Sequence, residues 1–432
     1  MYENGGFGEI PKPTVKVWMG EGRFNCSKKL FFDIYLCCFF SPLLILVRDF
    51  VFKWRIYYER GYLFFKMNNC VYMNVAISLA RATLGQTSPN PSVGAVLVKD
   101  GRLVGTGVHM KAGTPHAEVH AIRAAGNAAK GADMYVTLEP CSHHGKTPPC
   151  ADLIIEAGIK KVFVATLDPN PLVAGKGIDK LTSAGIEVEV GLCKEEALQL
   201  NEKFFHFIQK NTPFVTIKAG ISLDGKIAAK SGDSKWITSP ESRQDVHQLR
   251  HEHDGILVGI NTILQDNPLL TTRRPRGGKN PIRIVLDTEL KIPVSANVVQ
   301  DCPTQTIIFT GSQFNFNKKR ELESLGVTII SQDSAEISLK GVLHTLGERE
   351  IISVLVEGGS EIHASFIEEE AFQQIITYVA PKIIGGREAI PFIGGAGPEL
   401  VKLGKQLRFT AVEKIGPDIK ITAKPLKEEE TE

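Results

Sequence analysis

Apolar residues recur at helical spacing over residues 71–84, at Val75, Ala76, Leu79, Ala80 and Leu84, and Gly85 stops the run. Ser88-Pro89-Asn90-Pro91 then makes a rigid turn, because each proline fixes its own φ and restricts its predecessor. The pattern next predicts a strand over 93–98, a hairpin turn at Lys99-Asp100-Gly101 and a second strand over 103–107. Helix 118–129, strand 134–138, helix 150–157 behind Pro148-Pro149, strand 162–165 and helix 178–184 closed by Gly185 follow. A helical stretch, 194–210, leads to Asn211-Thr212-Pro213, a candidate boundary. Beyond it the pattern predicts strand 214–219, helix 241–252 and strands 255–259, 282–287, 306–310 and 352–357. Helix 361–368 and strands near 374–379 and 419–423 complete the series. Strands alternating with helices in both halves imply an α/β fold. There is no internal repeat, and the tail 427–432 is acidic and expected to fray.

With 432 residues the chain is long enough for two or more domains, each with its own core. Its apolar and charged fractions, 43% and 23%, are those of ordinary globular protein. A net charge of +2 gives no electrostatic case for nucleic acid as the main partner. Eight cysteines are scattered, and the patterned pair is Cys141 and Cys150, which argues for reduced thiols and a metal over a disulfide framework.

Residues 1–66 differ from the rest. Residues 30–47 are rich in Phe, Leu, Ile and Cys, yet Asp33 and Pro42 interrupt a run already short for a membrane span, which needs about 20 apolar residues. A membrane anchor, a secretory signal and an upstream extension of doubtful function compete here. Recognisable patterning starts after Met67, which is therefore a candidate for the true start, and a membrane association is not expected.

The chemistry is concentrated at His116-Ala-Glu118 and at Pro140-Cys141 through Pro149-Cys150. One imidazole and two thiols with a spare carboxyl are the parts of a catalytic zinc site, which takes three protein ligands and leaves a position for water. The general zinc-deaminase pattern is His-x-Glu followed by Pro-Cys-x-x-Cys. Here the second cysteine lies nine positions after the first. Glu118 is the expected proton shuttle. Cys150, in the first turn of a helix, meets positive partial charge that favours thiolate. His143 and His144 lie between the cysteines and offer competing ligands. His116 and His120 are spaced as in a zincin motif, but the glutamate is at the wrong offset.

In the second half, Glu357-Gly358-Gly359-Ser360 reads as a strand end, two glycines and a helix start, suited to phosphate. An ordinary tight turn reads equally well, and the dinucleotide fingerprint of a Rossmann domain is absent.

From Met67 onward the chain resembles the bifunctional riboflavin-biosynthesis deaminase/reductases. The resemblance is carried by Thr87-Ser-Pro-Asn-Pro-Ser-Val-Gly-Ala95, His116-Ala-Glu118, the long cysteine loop 140–150, Asp168-Pro-Asn-Pro171 and Gly175-Lys-Gly177. Lys218-Ala-Gly-Ile-Ser-Leu-Asp-Gly225, residues 231–238, His247-Gln-Leu-Arg250, Asp266-Asn-Pro268 and Val356-Glu-Gly-Gly359 carry it in the second half. It implies a cytidine-deaminase-like α/β/α sandwich over 67–211 and a dihydrofolate-reductase-like α/β domain over 212–426. It also implies zinc on His116, Cys141 and Cys150, with Glu118 catalytic and Asn90, His143 and Lys146 on the substrate. The substrate would be a phosphorylated aminopyrimidine that loses its ring amino group and is then reduced by NADPH. Gly220, Trp236, Thr262, Asp266 and the segment Gly359-Ser360-Glu361-Ile362-His363-Ala364-Ser365 would face the cofactor. Ser234, Arg250, Leu270, Arg273 and Glu357 would face the substrate, the arginines suiting its phosphate. Spacing alone would leave Arg250 on a solvated helix face and Trp236 in a core. Lys218 and Asp266 are candidate proton donors. The expected protein is a cytoplasmic homo-oligomer without nucleic acid. Rival readings are a deaminase with a scaffolding second domain, a nucleic-acid deaminase and a membrane-tethered module.

Overall fold

The computed structural model describes residues 44–47, 50–59, 62–67, 69–142, 148–170, 174–275 and 277–426. Contacts divide the chain into residues 1–72 and 73–432. In the first unit Leu44–Val47, Phe50–Glu59 and Tyr62–Met67 form an antiparallel three-stranded sheet. The patterning had predicted no strand there, and the rest of the apolar run 30–47 lies outside the described residues. Among the described residues, no helix is long and apolar enough to cross a membrane.

After α1 (Asn69–Arg81), β1 (Gly94–Lys99) and β2 (Arg102–Val108) form the expected hairpin. Its turn puts Asp100 and Gly101 at positive φ, 51° and 74°. α2 (Ala117–Ala125), β3 (Asp133–Val136), α3 (Cys150–Glu156), β4 (Lys161–Val164), α4 (Lys176–Ser183) and β5 (Glu187–Val190) follow. The sheet order is β2-β1-β3-β4-β5, antiparallel through β3 and parallel thereafter. Ala95, Leu97, Met134, Val136, Val162 and Val164 pack against Ala117, Ala121, Ile154 and Leu181 of the helices. Gly107 lets α2 lie directly on β2, since a Cβ there would sit 2.0 Å from the Ala117 carbonyl oxygen.

Two helical expectations change. The helix over 118–129 ends at Ala125, because Gly126 turns to φ 52°, and continues as a 3-10 turn, Gly126–Ala129. The stretch 194–210 is two helices, α5 (Lys194–Leu200) and α6 (Glu202–Lys210). Asn201 breaks them: its side chain takes both main-chain groups of Ser92, at 2.8 and 2.9 Å.

The second half starts with β6 (Phe214–Ser222) and a short β7 (Lys226–Ala228). Then come α7 (Pro240–Glu252), β8 (Gly255–Gly259), α8 (Ile260–Asp266), β9 (Ile282–Leu286), β10 (Thr306–Thr310), α9 (Phe316–Ser324) and β11 (Thr328–Ser331). α10 (Leu339–Glu348), β12 (Ser353–Val356), α11 (Ser360–Glu368), β13 (Gln374–Ala380), β14 (Ile390–Pro391), β15 (Leu407–Ile415) and β16 (Asp418–Pro425) complete it. Nine strands run β11-β10-β9-β8-β12-β6-β13-β16-β15. Those from β11 to β13 are parallel and the last two pairings antiparallel. Alternate residues of β8 serve two cores: Leu257 packs with Val354 and Phe366, and Ile256 and Val258 pack with Val285 and Ile308. Main-chain contacts join the two halves. Lys203 donates to the Glu252 carbonyl at 2.9 Å, and a Cβ on Gly85 would meet the His251 carbonyl oxygen at 2.2 Å.

Candidate active sites

His116 is the N-cap of α2, Cys141 follows β3, and Cys150 opens α3 behind Pro149. Three segments far apart in sequence thus converge. His116 Nδ1 lies 3.2 Å from Cys150 Sγ and 3.6 Å from Cys141 Sγ. An ion with tetrahedral bonds of about 2.0–2.3 Å holds its ligand atoms about 3.5 Å apart, so this donor set fits zinc. No further His, Cys, Asp or Glu joins the cluster among the described residues. His143, His144 and Lys146 lie outside them. The Cys150 amide N–H donates to Cys141 Sγ at 3.3 Å. Hydrogen bonds from Cys150 and His116 hold the Cys141 thiol well below the usual thiol range, while its bond to Cys141 and its burial push Cys150 up.

Glu118, on the first turn of α2, is 3% exposed, and its Oε2 has no hydrogen-bond partner. Burial raises its carboxyl to about 7, which suits a group that must both take and give protons. His109, buried at the end of β2, sets its ring edge-on to His116, with centroids 5.3 Å apart. Its Nε2 is 3.2 Å from Asn90 Nδ2, which brings Asn90 to the cluster. Burial keeps the His109 ring below the usual histidine range. Glu139 is also buried, and its oxygens accept the N–H groups of Asp168, Gly175 and Gly177 at 3.3, 3.0 and 2.9 Å. Those two roles have no local signature; they appear once strand ends and loops are assembled.

A second site lies in the other sheet, a cavity of about 1090 Å³. Of the residues expected on the cofactor, Gly220, Trp236, Thr262, Asp266, Gly359, Ser360, Glu361, Ile362, His363 and Ser365 line it, and Ala364 does not. Ala364 is 3% exposed, on the inward face of α11, so a contiguous segment contributes only one side of its helix to the wall. Of those expected on the substrate, Ser234, Arg250, Arg273 and Glu357 line it. Leu270 does not: at φ 53° its side chain turns into the core with Ile256 and Val258.

Arg250 grips Glu357 with two bonds, at 2.8 and 3.0 Å, and Lys218 stands 3.5 Å from the same carboxylate. Burial alone would raise Glu357, but the charges of Arg250 and Lys218 overrule it and hold it to about 2. Lys218 is lowered by burial, a direction suited to proton donation. At the start of α11, Ser360 Oγ and His363 Nε2 are buried without partners, and both residues line the cavity. Orphaned polar groups at a helix N-terminus, in a cavity of this size, fit a phosphate-bearing nicotinamide cofactor. The wall also includes His247, Asn261 and Thr288, none of which was expected to face substrate or cofactor. His247 had a usable signal, since it precedes Arg250 by three and shares its helix face.

Comparison with known proteins matches a known domain to each half. Residues 67–166 match the cytidine and deoxycytidylate deaminase zinc-binding region, and 213–421 match the RibD C-terminal domain. The riboflavin biosynthesis protein RibD of Bacillus amyloliquefaciens is 52% identical over 354 residues, 82% of this chain and 95% of that one. The Escherichia coli K12 protein of the same name is 39% identical over 82% of this chain and 98% of its own length. Acinetobacter baumannii RibD superposes with a TM-score of 0.76 at 38% identity, covering 83% of this chain and 99% of that one. A Thermotoga maritima structure, described as a diaminohydroxyphosphoribosylaminopyrimidine deaminase/5-amino-6-(5-phosphoribosylamino)uracil reductase, gives 0.74 at 39% identity, covering 83% and 98%. The second domain is therefore a reductase and not a scaffold. With a zinc-binding deaminase domain followed by a reductase domain, this chain belongs to the RibD family of bifunctional deaminase/reductases of riboflavin biosynthesis.

Proposed function

We propose that the chain deaminates 2,5-diamino-6-(5-phosphoribosylamino)pyrimidin-4-one at its ring 2-amino group and then reduces the ribosylamino side chain to ribitylamino with NADPH. Deamination is assigned to residues 67–211 and reduction to 212–426. The observation that carries this reading is the convergence of His116, Cys141 and Cys150 beside a buried Glu118 whose carboxyl stands near 7.

Zinc held by His116, Cys141 and Cys150 would supply a water acidified towards neutrality. Glu118, buried and with its carboxyl near 7, would serve as the proton carrier, to the ring nitrogen first and then to the departing amine. Asn90 orients the pyrimidine.

In the reductase cavity the cofactor supplies hydride, and the protein supplies orientation. Trp236, Thr262 and the start of α11 would hold it, with Ser360 Oγ and His363 Nε2 available as its polar partners. Arg273 and Ser234 meet the phosphorylated side chain. Arg250 is committed to Glu357, so it orients that carboxylate and Lys218 more than it binds phosphate. Lys218 is the candidate donor of the proton that accompanies hydride addition at C1′ of the ring-opened imine. The protein acts in the cytoplasm as a homo-oligomer; exposed apolar residues on β15 and before it, Val401, Phe409 and Val412, supply surface for a second copy.

Transfer of deuterium from labelled NADPH to C1′ of the ribityl product tests the reductase assignment. We expect one label per product, and product without label overturns it.

A further inference from the structure

His109 stands between the two elements that build the deaminase site. Its Nδ1 lies 3.2 Å from the carbonyl oxygen of Pro115, the residue before His116. Its Nε2 lies 3.2 Å from Asn90 Nδ2. The ring is 2% exposed, so it cannot turn to seek water. A carbonyl oxygen can only accept, so Nδ1 carries the proton. The neutral ring then has a lone pair at Nε2, and the group opposite must donate. Asn90 is thereby fixed with its amide nitrogen towards His109. Among the described residues, nothing donates to its Oδ1.

The Asn90 loop is held from its other side as well. The Asn90 N–H donates to the Thr87 carbonyl at 2.9 Å, the Thr87 and Ser92 hydroxyls are 3.1 Å apart, and Asn201 clamps the Ser92 main chain. With backbone and amide nitrogen both fixed, the direction of Oδ1 is fixed too.

We propose that His109 is a positioning residue that sets the direction of the Asn90 amide, so that Asn90 meets the pyrimidine through Oδ1, as the acceptor of a ring N–H or amine hydrogen. This rests on the reading that the site deaminates a pyrimidine. It makes Asn90 a selector: a ring presenting a bare nitrogen or a carbonyl at that edge would set lone pair against lone pair. The imidazole touches no reacting atom and works through the amide.

The test compares deamination by the zinc-loaded full chain with that by His109→Phe, Asn90→Asp and the double variant. Phenylalanine keeps a flat ring against His116 but frees the amide to turn. We expect KM to rise about tenfold with kcat within about threefold and one zinc per chain retained. Aspartate presents an acceptor whichever way it turns. Alone it faces the His109 lone pair and binds poorly; in the double variant KM should return to within about threefold of the original. A double variant weaker than His109→Phe would mean that Asn90 donates to the substrate, and an unchanged KM in His109→Phe would mean that the imidazole sets nothing; either overturns the proposal. Nitrogen NMR of the unsubstituted protein reads the same point without a variant. The His109 Nδ1 should appear protonated and Nε2 bare, and the reverse tautomer overturns it. Absence of deamination by the unsubstituted chain would instead remove the functional reading beneath.

Discussion

Glu357 shows how much one side chain can hold in place. Arg250 and Lys218 both lean on it, with side-chain exposures of 10–16% across the three groups. Removing its charge leaves two buried cations facing each other. Glu357→Gln should therefore cost about 3–5 kcal/mol, read from the denaturation midpoint, and should abolish reduction while deamination persists. A variant of unchanged stability would mean that the cluster is solvated. At this scale the cluster of His116, Cys141 and Cys150 beside Glu118 was legible because its spacing and flanking prolines are local. Glu139, His109 and Lys218 were harder, because each acquires its partners across 6 to 139 positions of chain. Leu270 and Ala364 show the converse limit. A motif match names a stretch, and the backbone decides which of its side chains reach the cavity.

Among the elements, α2 matters most, since it carries His116 at its cap and Glu118 in its first turn. Its seat depends on Gly105 and Gly107, where a Cβ would approach the Ala121 and Ala117 carbonyl oxygens to 2.3 and 2.0 Å. Backbone cannot yield as a flexible side chain does. Gly107→Ala should shift α2, lower bound zinc below one per chain and abolish deamination while leaving the reductase working on pre-deaminated substrate. Metal analysis of the purified variant checks it, and full zinc with full deamination would contradict the account. The elements that read well from sequence were those with a clear apolar signal, such as β1, buried on both faces, and α7, buried on one. β5 and β15 escaped notice because they are exposed along most of their length, and β5, although it alternates Glu and Val, is only four residues long. The continuous helical pattern over 194–210 hid the break at Asn201, whose cause is a partner more than 100 positions away.

Over the whole molecule, the two catalytic halves share a buried polar seam. His253 lies in it, 2% exposed, with Nδ1 on the Leu249 carbonyl at 2.7 Å and Nε2 3.0 Å from the Thr216 hydroxyl. Burial, reinforced by Lys203, holds His253 well below the usual histidine range. Below pH 6.5 the unfolded chain binds a proton there that the folded state refuses. The stability this group lends above pH 6.5 is therefore lost as pH falls, at up to about 1.4 kcal/mol per pH unit. Urea midpoints at pH 7.5 and 5.5 should separate less in His253→Gln than in the original chain; equal separations would show that His253 does not titrate as argued.

The division of labour between the halves is the central claim, and one comparison addresses it directly. Zinc-loaded chain and Glu118→Gln are each given the diaminopyrimidinone phosphate with NADPH, and separately the pre-deaminated substrate with NADPH, and the products are resolved by mass. The account predicts that the variant keeps its zinc, loses deamination by a factor of about 10²–10⁴ and reduces the pre-deaminated substrate at the original rate. Loss of both activities in a folded, zinc-bearing variant, or undiminished deamination, would contradict it.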